Sequence, residues 1–167
     1  YFNSVKVPAE NLIGKEGEGF KIALATLDAG RIGIASQALG IAQASLNASV
    51  SYSKERIQFG KPISINQAIQ FKIADMTMEI EAARLLVRQA AWKKDQKQNY
   101  GHVASIAKVY ASEVAMRAST QCVQIHGGFG FMRESGIERL MRDAKITQIY
   151  EGTSEIQRVV IARSVIK

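Results

Sequence analysis

The stretch IQFKIADMTMEIEAARLLVRQAA, residues 69–91, decides the fold. Apolar residues recur in it at alternating steps of four and three, which is the spacing of one face of an α-helix. The same spacing is typical of a seam that packs against near-antiparallel helices. The sequence therefore predicts a helix over about 66–95. The residues expected to face the core are Ile69, Ile73, Met76, Ile80, Ala83, Val87 and Ala90.

The rest of the chain continues this helical pattern with few interruptions. Pro is scarce, with two residues in 167, which suits long helices better than a strand-rich fold. The polar segment 93–101 predicts a loop, and Gly127-Gly128 predicts a helix break. Long helices with short connections indicate an all-α, antiparallel up-and-down helical bundle, with a short extended N-terminal overhang. The other predicted elements are a strand over 1–8 and helices over about 18–57, 102–125 and 136–144 and from Ser154 onward.

Composition narrows the classes of partner that the chain could bind. The net charge of +7 favours anionic partners. The basic residues are dispersed and no aromatic-interleaved patch accompanies them, so phosphate-bearing small molecules are favoured over nucleic acid. No apolar run reaches membrane-spanning length. The chain starts without Met and within a strand-like pattern, which predicts that it is part of a longer protein.

Metal chemistry and serine-hydrolase chemistry are both disfavoured by spacing. Helical bundles that hold two metal ions use Glu-x-x-His pairs. The two histidines, His102 and His126, are preceded at that spacing by Asn99 and Val123. No Gly-x-Ser-x-Gly motif is present either. An enzyme of this sequence is therefore expected to use an organic cofactor.

One acidic residue has an unusual position just ahead of the last helix. Glu151 follows Tyr150 and precedes Gly152, and the helix is predicted to start near Ser154. Glu151 should therefore lie on a connection and not on a solvated helical face. By residue type alone it could be an ordinary acid in a turn.

Four stretches follow one another along the chain: LDAGRIGIASQALGIA (27–42), YSKERIQFGKPI (52–63), QIHGGFGF (124–131) and RDAKITQIYEGTSEIQR (142–158). In this order they resemble the C-terminal helical domain of the acyl-CoA dehydrogenases. The lead-in FNSVKVPAENLIG, residues 2–14, is similar to that family's passage out of its middle β-domain. The resemblance implies that residues 1–14 are the end of the middle domain and a connector, and that 15–167 form the helical bundle.

The resemblance implies α,β-dehydrogenation of an acyl-CoA thioester with FAD as cofactor. Glu151 would remove the α-proton, and burial beside an acyl chain and a flavin would strengthen a carboxylate as a base. Gly152 would let the thioester approach the backbone, and the Glu151 backbone N–H would stabilise the enolate. Some relatives place the base just before the arginine of the first helix, where this chain has Gly30. Glu151 is therefore the expected base, and short-chain or short/branched-chain acyl groups are the expected substrates.

The resemblance also implies the residues that bind substrate and cofactor. Asp28 and Arg31 would contact CoA, although an ion pair between these two is the alternative interpretation of Arg31. Arg56 would meet the flavin pyrophosphate, since a guanidinium suits paired phosphate oxygens. The remaining FAD-binding candidates are Phe59, Gln67, Gln124, Ile125, His126, Gly127, Gly128, Thr153, Ser154 and Glu155.

Assembly and partners follow from the same resemblance. Members of the family form tetramers, usually homotetramers, through this domain, and they pass electrons to an electron-transfer flavoprotein. The part of FAD gripped by Gln124–Gly128 would belong to a neighbouring subunit. Neither nucleic acid nor a membrane is an expected partner, and the expected compartment is the mitochondrial matrix or the bacterial cytoplasm. The alternative is a non-catalytic helical module that only binds or oligomerises.

Overall fold

The computed structural model describes residues 1–166 and is an all-α fold, as the sequence predicts. The sheet found in this range is one β-hairpin with two residues in each strand, and it joins the first two long helices. The helices are α1 (Gly19–Glu55), α2 (Gln67–Asp95), α3 (Gly101–His126), α4 (Gly128–Phe131), α5 (Ile137–Thr147) and α6 (Ser154–Val165), and the hairpin strands are β1 (Ile57–Gln58) and β2 (Lys61–Pro62). Three short 3₁₀ turns cover Ala9–Asn11, Ile63–Ile65 and Arg133–Ser135.

The three long helices run up, down and up, and α3 lies at the centre. Arg31 on α1 contacts Ser105 near the start of α3, and Tyr52 near the end of α1 stacks on His126 at the end of α3. Helices α1 and α3 are therefore parallel. In contrast, Arg117 on α3 binds Glu79 on α2, whereas the later residue Gln121 binds the earlier residue Lys72, so α2 runs in the opposite direction. The helices α5 and α6 then pack against α3.

Small side chains let α3 approach its neighbours closely. Its fully buried face is rich in alanine, so little volume separates the backbones of adjacent helices. The predicted seam of α2 is confirmed, because its last five positions are buried and Ile69 and Ile73 are half-buried. The alanines of α3 that are at most 1% exposed are Ala104, Ala107, Ala111, Ala115 and Ala118.

The predicted N-terminal strand is wrong. Residues 1–8 form no strand, because no second strand lies beside them within residues 1–166 to share backbone hydrogen bonds. Helices α1 and α2 end at Glu55 and Asp95, close to their predicted ends at about 57 and 95. The loop predicted over 93–101 starts later than expected, because Lys93 and Lys94 belong to the last turn of α2, where basic residues favour a helix C-terminus.

The predicted break at Gly127-Gly128 is confirmed in position. Helix α3 ends at His126, and Gly127 has φ of +61°. The chain then resumes as the one-turn helix α4. No helix within residues 1–166 is both long enough and apolar enough to cross a bilayer.

Candidate active site

Glu151 lies on the connection between α5 and α6 in a conformation that residues with a Cβ seldom adopt. Its φ is +56°, and that of Gly152 is +88°. A left-handed conformation costs a non-glycine residue roughly 1–2 kcal/mol. Such strain persists only where the surrounding structure enforces it, and it is common at functional sites. The connection predicted from sequence is therefore a specific turn and not an unconstrained loop.

Both ends of this turn are fixed by hydrogen bonds. On the side of α6, the Thr153 hydroxyl caps the helix by accepting from the Ile156 backbone N–H at 3.4 Å. Across the turn, the Ser154 backbone N–H donates to the Gln148 carbonyl at 2.9 Å. The Tyr150 hydroxyl donates to Gln37 Oε1 on α1 at 2.5 Å. These contacts place the turn against α1.

Gly30 on α1 is what makes room for the Glu151 carboxylate. A Cβ added to Gly30 would lie 2.9 Å from Glu151 Cδ and closer still to one of the carboxylate oxygens. Real Cβ atoms essentially never show such a separation, so a side chain at position 30 would displace the carboxylate. Position 30, where the resemblance puts the base of some relatives, and Glu151 therefore face each other in this fold.

Lys108 and Gln157, which sequence reasoning missed, bind the same turn from inside the protein. Lys108 Nζ donates to the Gly152 carbonyl at 2.7 Å. Gln157 Nε2 donates to the Glu151 and Gly152 carbonyls at 3.1 and 3.2 Å. Burial, and then the nearby Arg31, lower the pKa of Lys108 to about 8, although Glu155, Glu113 and Glu151 act in the opposite direction. Lys108 follows Ala104 by four residues on the buried face of α3, but its contact with the turn depends on tertiary packing, so the sequence alone did not single it out.

Asp28 and Arg31 form the ion pair that was the alternative interpretation of Arg31. Arg31 Nη1 donates to Asp28 Oδ1 at 2.7 Å and lies 3.4 Å from the Ser105 hydroxyl. Arg31 is 7% exposed, and its Nε has no hydrogen-bond partner among residues 1–166. Asp28 lies beside the start of α3, where a Cβ on Gly101 would be 2.8 Å from Asp28 Oδ2. A CoA contact by this pair stays a prediction, and Asp28 is its more accessible member.

A second group of predicted residues lines a groove at the far ends of α1 and α3. Tyr52, which sequence reasoning missed, stacks on His126 with ring centroids 4.2 Å apart. His126 Nδ1 lies 2.8 Å from the Cys122 carbonyl, which fixes the ring through a donated N–H. The groove has a volume of about 550 Å³. Its lining residues are Tyr52, Arg56, Gln58, Ile63, Ile125, His126, Gly127, Gly128 and Phe129.

The predicted FAD residues therefore fall into separate places. Gly30 and Tyr52 are 22 residues apart on α1, which corresponds to roughly 33 Å at about 1.5 Å per residue. Thr153, Ser154 and Glu155 lie beside Glu151, whereas Arg56 and Ile125–Gly128 line the groove. The structure does not place Phe59, Gln67 or Gln124 in the groove lining. Phe59 is fully exposed at the hairpin, and Gln67 and Gln124 are exposed on their helices.

Comparison with known proteins identifies the family. The family model described as the acyl-CoA dehydrogenase C-terminal domain matches residues 17–166. The chain belongs to the acyl-CoA dehydrogenase family. Within it, the probable acyl-CoA dehydrogenase YngJ of Bacillus subtilis (strain 168) is 60% identical over 163 residues, covering 98% of this chain and 43% of that protein.

Two solved structures share the fold closely. Butyryl-CoA dehydrogenase from Megasphaera elsdenii is 58% identical with a TM-score of 0.98, covering 99% of this chain and 43% of that one. A chain solved in work on the electron transferring flavoprotein of Acidaminococcus fermentans is 56% identical with a TM-score of 0.98, covering 99% and 44% respectively. The chain thus spans about two-fifths of the length of these relatives.

Proposed function

We propose that the chain is the C-terminal domain of a longer, FAD-dependent acyl-CoA dehydrogenase that converts short-chain acyl-CoA to trans-2-enoyl-CoA. The observation that carries this proposal is the place of the Glu151 carboxylate, on a strained turn whose backbone is hydrogen-bonded and against a glycine that leaves it space. A carboxylate carried by such a constrained backbone can act as a general base on a substrate presented to it. An ordinary turn acid would not need that arrangement.

Glu151 supplies the proton acceptor in this proposal. The bond between the α-carbon and its proton breaks, the proton bonds to a Glu151 carboxylate oxygen, and the electron pair passes to the enolate of the thioester. When bound, FAD would supply the acceptor for the hydride that leaves the β-carbon. The Glu151 backbone N–H donates to no protein acceptor within residues 1–166, so it is available to the thioester oxygen, where negative charge develops.

The groove at Tyr52 and His126 has the chemistry of a site for the ADP part of FAD. Arg56 offers a guanidinium for paired phosphate oxygens, and Gly127 and Gly128 leave the backbone accessible. The stacked rings of Tyr52 and His126 add an aromatic surface. These residues would hold the cofactor by charge and by contact, and they need no proton transfer from His126.

The separation of the two sites supports an assembly of several copies. A single FAD molecule is too short to span the roughly 33 Å between Gly30 and Tyr52. The groove of one copy would therefore bind the cofactor whose reacting end lies beside Glu151 of another copy. This supports an assembly in which each active site needs residues from two copies, and the proposed homotetramer is one such assembly.

An exposed apolar stripe on α2 offers a surface for such an assembly. Its four residues recur at intervals of seven, so they lie along one face of the helix. That face points away from the buried seam, and each of the four is more than half exposed. We define the α2 stripe as Phe71, Met78, Leu85 and Trp92. A second copy of the protein is its proposed partner.

Leu85→Glu in the full-length protein should dissociate the assembly into smaller species, because a buried, unpaired carboxylate is costly at an apolar interface. Light scattering coupled to size-exclusion chromatography measures the mass. Gln98→Glu, which adds the same charge in the exposed segment after α2, is the control and should leave the mass unchanged. A Leu85→Glu protein with the wild-type mass would exclude the α2 stripe as an interface.

The proposed electron acceptor is an electron-transfer flavoprotein. Its support is the likeness to a chain solved in work on such a flavoprotein.

The direct test of function is turnover of the full-length protein with acyl-CoA substrates from butyryl-CoA upward, monitored with an artificial electron acceptor. We expect the highest kcat/KM for short chains. Residues 1–167 alone should bind FAD weakly and have no turnover. A stoichiometric flavin absorbance band in this isolated chain would contradict the proposal. So would the absence of turnover in the full-length protein.

A further inference from the structure

Two buried donors from different helices converge on the turn that carries Glu151. Lys108 on α3 and Gln157 on α6 are both fully buried. Lys108 Nζ binds the Gly152 carbonyl, and Gln157 Nε2 binds both the Glu151 and the Gly152 carbonyl. The two consecutive carbonyl groups of the turn are therefore fixed from within the protein.

The turn needs such support because its backbone conformation is unfavourable. Glu151 has a Cβ and yet a positive φ, which persists only where surrounding contacts enforce it. Gly152 is confined as well, since a Cβ at this position would lie 2.5 Å from Gln157 Nε2. Gln157 therefore packs directly on the turn whose carbonyl groups it binds.

Lys108 is an unfavourable choice for a position that serves packing alone. An ammonium group removed from water is costly, and here burial together with the neighbouring Arg31 lowers its pKa to about 8. An apolar side chain would fill the same space without that cost. What the lysine adds is a strong donor that reaches the Gly152 carbonyl.

We propose that Lys108 and Gln157 are positioning residues that hold the Glu151–Gly152 turn so that the Glu151 carboxylate stays against Gly30. This inference rests on the proposed function, in which Glu151 is the base. Neither residue takes the substrate proton: Lys108 Nζ is directed at a backbone carbonyl, and the Gln157 amide does not titrate. Both act through the position of Glu151.

The test uses Lys108→Met, Gln157→Met and the double variant in the full-length protein. Each methionine keeps a long side chain and removes the donor. We expect kcat to fall roughly 10²-fold in each single variant, as expected for a displaced catalytic group. KM and FAD content should change little. The kcat of the double variant should be only slightly lower than that of the slower single variant, because both changes act on one turn.

A kinetic isotope effect separates positioning from loss of fold. With substrate deuterated at the α-carbon, the isotope effect on kcat should increase in both variants, because proton removal becomes a larger part of the barrier. Lys72→Met is the matched control: this lysine binds Gln121 Oε1 between α2 and α3, and its loss should leave kcat and the isotope effect unchanged.

The outcomes are distinct. Wild-type-like kcat in either folded variant, or loss of activity in proportion to lost FAD, overturns the proposal. If Lys108→Met does not fold, Gln157→Met decides, with lower kcat at full FAD content supporting the proposal and unchanged kcat overturning it. If the wild-type protein has no turnover, the proposed function is contradicted instead. In that case a crystal structure of Gln157→Met tests whether Gln157 holds the turn. Glu151 still at its positive φ in that variant would overturn this structural part of the inference as well.

Discussion

Glu151→Gln in the full-length protein should lower kcat roughly 10²–10⁴-fold, the range that a positioned general base contributes. Glutamine has nearly the same shape, so the turn and its contacts with Lys108 and Gln157 should persist, but an amide cannot accept the α-proton. The measurement is steady-state turnover with butyryl-CoA, together with the flavin absorbance of the purified protein. We expect FAD content to be retained while turnover is lost.

Glu134→Gln is the matched control for this substitution. Glu134 is exposed on the 3₁₀ turn before α5, and it makes no contact with the Glu151 turn. The control variant should keep wild-type kcat. Unchanged turnover in Glu151→Gln would show that the domain is a binding or assembly module whose turn has no catalytic role.

Gly30→Ala should lower the activity of the enzyme without lowering its stability. The added Cβ would displace the Glu151 carboxylate, and a misplaced catalytic group can cost roughly 10²-fold in rate. Alanine is also the better helix former, by up to about 1 kcal/mol in a helix interior. We therefore expect kcat to fall while the thermal unfolding temperature stays the same or rises. Turnover assays and a thermal melt of the same preparation measure both effects.

Gly40→Ala provides the comparison on the same helix. Nothing lies within 4 Å of a Cβ added at Gly40, so this variant should gain helix stability without loss of turnover. If Gly30→Ala retains full activity, then the carboxylate does not need its present position against α1, and the space at Gly30 has no catalytic role.

The sequence was sufficient to predict the helices and the place of Glu151 on a connection, because both depend on local patterns. The expected role of Glu151 as a base came from the resemblance to the family and not from the local pattern. The seam of α2 repeats regularly, and Glu151 lies between an aromatic residue and a glycine ahead of a clear helix start. The resemblance to the family also singled out Gly30, and the structure adds that this residue contacts the Glu151 carboxylate.

Residues whose role depends on tertiary contacts were missed. Lys108 reads as one polar residue in a helix, and its function in the turn becomes evident only when α3 packs against the connection to α6. Tyr52 likewise gains its role by stacking on His126, which lies 74 residues further along the chain. The predicted strand over 1–8 failed for a related reason, since strand formation depends on a partner that a local pattern does not supply.

In the proposed reaction a single proton moves from the carbon next to the thioester to the side chain of Glu151. A crystal structure of the full-length protein with FAD and a non-reacting acyl-CoA analogue measures the distance that this transfer requires. We expect a Glu151 carboxylate oxygen at roughly 3–3.5 Å from the α-carbon, the separation of reacting atoms poised for attack. A carboxylate that faces solvent, with the α-carbon beyond its reach, would contradict it.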